Sequence, residues 1–150
     1  MKRASLIIML TLLLLGCENT TFVSSVPSYP VGMELNILGE FPHFTPSGGI
    51  DCMSFTTPRF PTEAVGYAGI LVYTAFDNQY HACDLCCPHC VKRNAPVEWD
   101  GGFYMHCPTC GEDYDISYGL GTPTRGISNE RLRPYHAMYN NLNGKLRITP

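Results

Sequence analysis

The sequence lacks the motifs on which most covalent catalysis depends. It has no serine nucleophile elbow, no phosphate-cradling glycine loop and no helical H-E-x-x-H pattern. It also lacks a basic stripe, because beyond residue 16 eight basic side chains face thirteen acidic ones and the net charge is near −5. We therefore expect no nucleic-acid partner, and we favour a chain that is not an enzyme on its own.

Helical periodicity is almost absent, whereas short β-rich runs bounded by turn residues recur along the chain. The run from Gly69 to Thr74 is continuous and suits a buried strand, and Asn143-Gly144 joins a closing hairpin. The pattern predicts an all-β fold, a small β-sandwich or barrel with a loop-built site at one end. Further strands are predicted over residues 33–38, 50–55, 79–82, 97–99, 103–105, 114–117, 135–139 and 146–148.

The first residues have the pattern of an export signal. Lys2 and Arg3 precede an apolar run from Leu6 to Leu15, which is too short to span a membrane comfortably. Leu14-Leu15-Gly16-Cys17 is similar to the cleavage box of bacterial lipoproteins, in which the cysteine is lipidated and becomes the first residue. The alternative is an ordinary secretory signal with a chance cysteine.

These features divide the chain into a signal peptide (1–16), a flexible tether that begins at the lipidated Cys17 (17–30) and one domain (31–150). We expect the domain at the cell envelope outside the cytoplasm, in the periplasm or at the outer membrane. Its partner there would be the membrane that holds the lipid anchor.

Six of the seven cysteines that follow Cys17 crowd into residues 83–110, which favours metal ligation over a spread of disulfides. One pattern occurs twice, as Cys87-Pro88-His89-Cys90 and as Cys107-Pro108-Thr109-Cys110-Gly111. We call these segments the first and second knuckle. Each Pro-bearing turn points soft ligands at one point, so the loops 83–92 and 105–115 are predicted to clamp a metal centre.

The segment from Ala82 to Ile148 resembles a Rieske [2Fe–2S] domain. Cys87-Pro88-His89 matches the first C-x-H loop of that family, and the second knuckle occupies the place of its C-x-x-H-Gly loop. Tyr114-Asp115 fits the residues that follow. The resemblance implies a Rieske-like β domain with a rubredoxin-like, or zinc-ribbon-like, two-loop metal subdomain. It also implies that single electrons pass through a [2Fe–2S] cluster to a redox protein that the sequence does not identify.

The chain departs from the Rieske pattern at Cys110, where the family has its second histidine. The ligands that the resemblance implies are Cys87, His89, Cys107 and Cys110. Replacing an imidazole by an anionic thiolate stabilises the oxidised cluster, so the reduction potential would fall below that of two-histidine centres. Glu112 stands where high-potential members often carry a serine that donates to the cluster, and its presence favours a lower potential too.

The same residues admit another ligand set. Cys87-x-x-Cys90 and Cys107-x-x-Cys110 have sixteen residues between them, which fits a zinc ribbon in which Cys90 replaces His89 as ligand. Such a site would hold Zn²⁺ and be structural, serving a binding module, or it would hold one iron and resemble rubredoxin. A Rieske-like fold that has lost its metal is the third alternative.

Two further cysteines, Cys83 and Cys86, form another C-x-x-C pair just ahead of the first knuckle. No helix is predicted to begin there and lower a thiolate pKa, so we favour a disulfide or buried thiols over a redox-active pair. Cys52 has no neighbour in sequence with which to pair, and we assign it no role.

Overall fold

The computed structural model describes residues 23–150. The predicted signal peptide, the lipidated Cys17 and the first part of the tether lie outside the described residues. Within 23–150 the chain is nearly all β, with eleven strands and one four-residue helix, α1 (Ile37–Glu40). No helix in that range is long and apolar enough to cross a membrane.

The larger sheet has seven strands and curls into a nearly closed barrel. Its order is β2-β4-β5-β10-β11-β1-β3, and all the pairings are antiparallel. The strands are β1 (Val31–Asn36), β2 (Cys52–Phe55), β3 (Ala64–Val65), β4 (Ile70–Thr74), β5 (Tyr80–Asp84), β10 (Pro134–Asn140) and β11 (Lys145–Thr149).

The smaller sheet has four antiparallel strands in sequence order. They are β6 (Glu98–Trp99), β7 (Tyr104–His106), β8 (Asp113–Asp115) and β9 (Thr122–Pro123). No strand of this sheet is longer than three residues. It therefore has little backbone pairing of its own with which to hold its shape.

Strand β4 separates two apolar cores, which explains its uninterrupted apolar run. Its five residues are all buried. Leu71 and Tyr73 pack into the core shared with the cysteine loops, whereas Ile70 and Val72 pack into the core formed with β1, β10 and β11. Because successive side chains of a strand point to opposite faces, a strand with a core on each face is apolar along most of its length. Its one buried hydroxyl, on Thr74 at the end of the strand, donates to the Gly49 carbonyl at 3.0 Å.

The buried Asp84 connects the end of β5 to the first knuckle. Its carboxylate accepts hydrogen bonds from the backbone N–H groups of Tyr67 (2.7 Å), Ala68 (3.1 Å) and Cys86 (2.8 Å). It also accepts one from the Tyr135 hydroxyl at 2.6 Å. A fully satisfied carboxylate at this position fixes the direction in which the chain leaves the barrel towards Cys87.

Some residues of the segment 23–30, which the sequence predicts as flexible tether, contact the domain. Val26 is 1% exposed and packs into the core shared with the cysteine loops. Its carbonyl accepts a hydrogen bond from Arg133 at 2.8 Å, and the Ser25 N–H donates to Glu130 at 2.8 Å. Val26 and Ser25 therefore contact the domain ahead of the predicted boundary at residue 31.

Candidate metal centre

The two knuckles have the same backbone geometry. In the first, the Val91 N–H donates to the Cys87 carbonyl at 2.9 Å, and in the second the Gly111 N–H donates to the Cys107 carbonyl at 2.9 Å. Both donors have positive φ, 50° at Val91 and 76° at Gly111. The left-handed residue turns the chain back sharply, which brings the two cysteines of each knuckle to the same side.

The knuckles come from different sheets. The first lies in the connection between β5 of the barrel and β6, and the second lies between β7 and β8 of the four-stranded sheet. The cysteines meet where the sheets adjoin, and they share a core with Met105 and Tyr114 of the smaller sheet and with Ile116, which follows β8. A metal ion held here would link the sheets.

Four sulfurs converge at this point. The Sγ atoms of Cys87, Cys90, Cys107 and Cys110 all lie within 4.8 Å of one another. Cys87 lies 3.8 Å from Cys110, and Cys90 lies 3.9 Å from Cys107, so each cysteine of one knuckle contacts a cysteine of the other. Cys87 and Cys107 are buried, whereas Cys90 and Cys110 are half-buried. The four cysteines are positioned to bind a metal ion.

The expectation that His89 supplies the fourth ligand does not match this geometry. His89 is exposed and lies outside the convergent group, and its Nδ1 is 3.8 Å from the Cys90 Sγ. The structure instead matches the alternative ligand set, with Cys90. The signal for it is present in the sequence, because the doubled C-P-x-C pattern places Cys90 and Cys110 at equivalent positions.

Three thiols of the quartet differ in the direction in which their surroundings shift the pKa. The pKa of the Cys107 thiol lies below its usual value. Burial acts to raise this pKa, but hydrogen bonds, among them those from the backbone N–H groups of Cys110 and Thr109, lower it by more. Burial raises the pKa of Cys90 and of Cys110. Of these three thiols, Cys107 is the one whose surroundings favour the thiolate, the form that binds a cation.

Glu112 does not face the cysteine quartet, although it stands where the Rieske pattern often has a serine donor. Its carboxylate is buried and turns towards the loop 124–128, whose backbone N–H groups donate to it. Its main-chain carbonyl accepts the Cys107 N–H at 2.9 Å. Sequence reasoning missed this role, because the loop that supplies the donors has no pattern that would pair it with Glu112.

The remaining cysteines of residues 23–150 are free thiols. Cys83 and Cys86 are both buried and not joined, so of the two expectations for them the buried thiols are found and the disulfide is not. Burial raises the pKa of Cys52 and of Cys86 to about 12 in each case. Thiols of this kind stay protonated and unreactive at neutral pH.

The fold and the cysteine quartet together define an all-β domain with a candidate four-cysteine metal centre. No protein-family model matches the chain, and no curated protein is significantly similar to it.

Proposed function

We propose that this domain is a metal-binding module that holds one ion in the thiolates of Cys87, Cys90, Cys107 and Cys110. The observation that carries the proposal is the spacing of the sulfurs, all within 4.8 Å with contacts of 3.8 and 3.9 Å. Four thiolates at about 2.3 Å from one Zn²⁺ stand about 3.8 Å apart along each edge of the tetrahedron. The spacing therefore fits a single ion.

The same spacing does not favour a [2Fe–2S] cluster. Such a cluster places two protein ligands on each of two irons, and the two pairs stand farther apart than the edge of one tetrahedron. Here all four sulfurs lie within 4.8 Å of one another, and none of them stands apart from the others. The Rieske expectation depends on an imidazole ligand, and the exposed position of His89 outside the cysteine quartet does not favour one.

Zn²⁺ in a structural role is the occupant that we favour. Four protein ligands close the coordination sphere, so a substrate has no open position at which to bind. The smaller sheet has strands of two or three residues and meets the barrel at the knuckles. An ion that joins both knuckles would contribute binding energy directly to the folding of this part of the chain.

A single iron that carries electrons is the second candidate. Its support is the hydroxyl of Tyr114, 3.2 Å from the Cys87 Sγ, since a hydrogen bond to a ligand sulfur is a means of tuning a reduction potential. Cys90 and Cys110 are half-buried, so an electron would have a short path to a docked redox protein. A Rieske-like iron–sulfur carrier with a two-iron cluster becomes the less favoured proposal.

The place of action that we propose is the cell envelope outside the cytoplasm. The support is the sequence before the described residues, with its basic start, its apolar run and Cys17 as the lipidation site. The lipid would attach the module to a membrane, with its partner among envelope proteins.

Metal and sulfide analysis of the purified full chain tests this function. We expect one metal ion per chain, no acid-labile sulfide, and a melting temperature that falls by more than about 10 °C when a chelator removes the ion. A colourless protein with zinc would support the structural role, and a coloured one with a single iron the electron carrier. Two irons with two sulfides, or no bound metal, would contradict the proposal.

A further inference from the structure

Glu112 has an unusual set of partners for a buried carboxylate. No ion pair in the described part of the chain involves it, and its side chain is fully buried. Four backbone N–H groups of one loop donate to it: Thr124 at 3.0 Å, and Arg125, Ile127 and Ser128 at 2.7 Å each. The Thr124 N–H is shared with the Asp113 carbonyl.

This carboxylate is the main anchor of the loop 124–128. The loop forms no strand, and four of its five residues are exposed, including Ile127 at 40%. A segment with so little apolar burial opens readily unless polar contacts hold it. Charge-assisted hydrogen bonds to the Glu112 carboxylate stabilise the closed loop. The four N–H donors converge on this carboxylate only while the loop is closed.

The closed loop reaches the metal centre through the side chain of Tyr114. Ser128, its one buried residue, lies beside the Tyr114 hydroxyl, and that hydroxyl is 3.2 Å from the Cys87 Sγ. The main chain of Glu112 accepts the Cys107 N–H. Through its side chain and its backbone, Glu112 therefore connects the loop to Cys87 and Cys107, the two buried cysteines of the quartet.

We infer that Glu112 is a positioning residue that keeps the loop 124–128 closed over Tyr114, the hydroxyl partner of Cys87, and that this closure sets how long a bound metal ion is retained. The inference rests on the proposed metal-binding function. A chelator reaches the half-buried Cys90 and Cys110 directly, but the ion leaves only when the two buried sulfurs release it as well. That last step requires the loop to open.

Glu112→Gln tests the inference, because it keeps the size of the side chain and removes its charge. The zinc-loaded variant should still bind one ion, but excess chelator should remove that ion at least about tenfold faster, since each charge-assisted hydrogen bond is worth more than that factor. Hydrogen exchange should rise at the amides of residues 124–128 and stay unchanged in β4. Glu130→Gln is the matched control, because that carboxylate bonds Ser25 rather than the loop.

Equal release rates for Glu112→Gln and the wild type would overturn the inference while leaving the metal site in place. A wild type that takes up no zinc would overturn the proposed function as well. If Glu112→Gln does not fold, metal release and hydrogen exchange measured on the wild type test the inference instead. Its metal should leave no faster than the amides of Ile127 and Ser128 open in hydrogen exchange, and faster release would overturn the inference.

Discussion

The hydroxyl of Tyr114 lies 3.2 Å from the Sγ of Cys87, in the buried interior where the two sheets meet. Burial and the neighbouring Cys87 thiol raise the pKa of Tyr114, so the phenol keeps its proton at neutral pH. It can then donate to the sulfur once that sulfur is a thiolate. Tyr114 thus joins β8 of the smaller sheet to the first knuckle by a contact that strengthens when metal binds.

Tyr114→Phe should weaken metal binding without unfolding the domain. The ring remains to fill the core, while a hydrogen bond to an anionic sulfur is lost, which costs roughly 1–2 kcal/mol. Competition with a coloured chelator would then give an affinity about five- to thirtyfold lower. Tyr118→Phe, at a ring that is 67% exposed, is the control and should leave the affinity unchanged. Unchanged affinity in Tyr114→Phe would show that the contact contributes nothing to the site.

Removing the thiol of Cys90 should lower the metal content of the protein, whereas removing the imidazole of His89 should leave it unchanged. Cys90→Ser takes a sulfur from the convergent group, so the metal content should fall from one ion per chain towards zero. His89→Ala alters an exposed ring outside that group, and its metal content should match the wild type. Elemental analysis of both variants measures this. Loss of metal from His89→Ala alone would restore the three-cysteine, one-histidine ligand set.

Gly111→Ala should destabilise the second knuckle through its backbone alone. An added Cβ would meet no atom within 4 Å, but φ is 76° there, a conformation that costs an L-residue about 1–2 kcal/mol. Chemical denaturation should show a loss of that size. Gly32→Ala is the control, because its Cβ also meets nothing and its φ is not positive, so its stability should stay the same or rise slightly. Equal effects at both glycines would contradict this explanation.

Much of the fold could be predicted because local signals agreed with it. The predicted run 69–74 is confirmed as β4, and the Asn143-Gly144 hairpin is confirmed between β10 and β11. The predicted strand 33–38 ends two residues early, since Ile37 and Leu38 begin α1, where the Asn36 side chain accepts the Gly39 N–H. The two-residue strands β3 and β9 were missed, because strands so short have no periodicity to detect.

The metal site could be located from the sequence, but its ligands could not be chosen by spacing alone. Both His89 and Cys90 lie within one tight turn, and only the three-dimensional direction of their side chains separates them. The anchoring roles of Glu112 and Glu130 could not be predicted either. Most of their partners are backbone N–H groups 12 to 105 residues away, and a backbone donor does not depend on which residue carries it.

Acid should release the N-terminal segment 23–30 through Glu130. Hydrogen bonds from the Ser25 hydroxyl and N–H hold the pKa of Glu130 below its usual value of 4.5. The carboxylate therefore stabilises the fold above pH 4.5, and this contribution is lost as the pH falls through the lowered pKa. The stability difference between wild type and Glu130→Gln should be at most about 1 kcal/mol at pH 7 and should shrink towards zero in acid.

Denaturation of both proteins across pH 3–7, under identical metal conditions, measures that difference, because effects of acid on the metal site are common to both. A difference that stays constant or grows as the pH falls would show that the Glu130 carboxylate does not hold the segment by its charge.

X-ray absorption at the edge of the bound metal tests the central claim most directly. A single ion in the four-cysteine site predicts four sulfur neighbours at about 2.3 Å, no nitrogen neighbour and no second metal. A metal–metal distance, or a nitrogen in place of one sulfur, would contradict the account and return the two-iron cluster with His89 as its ligand.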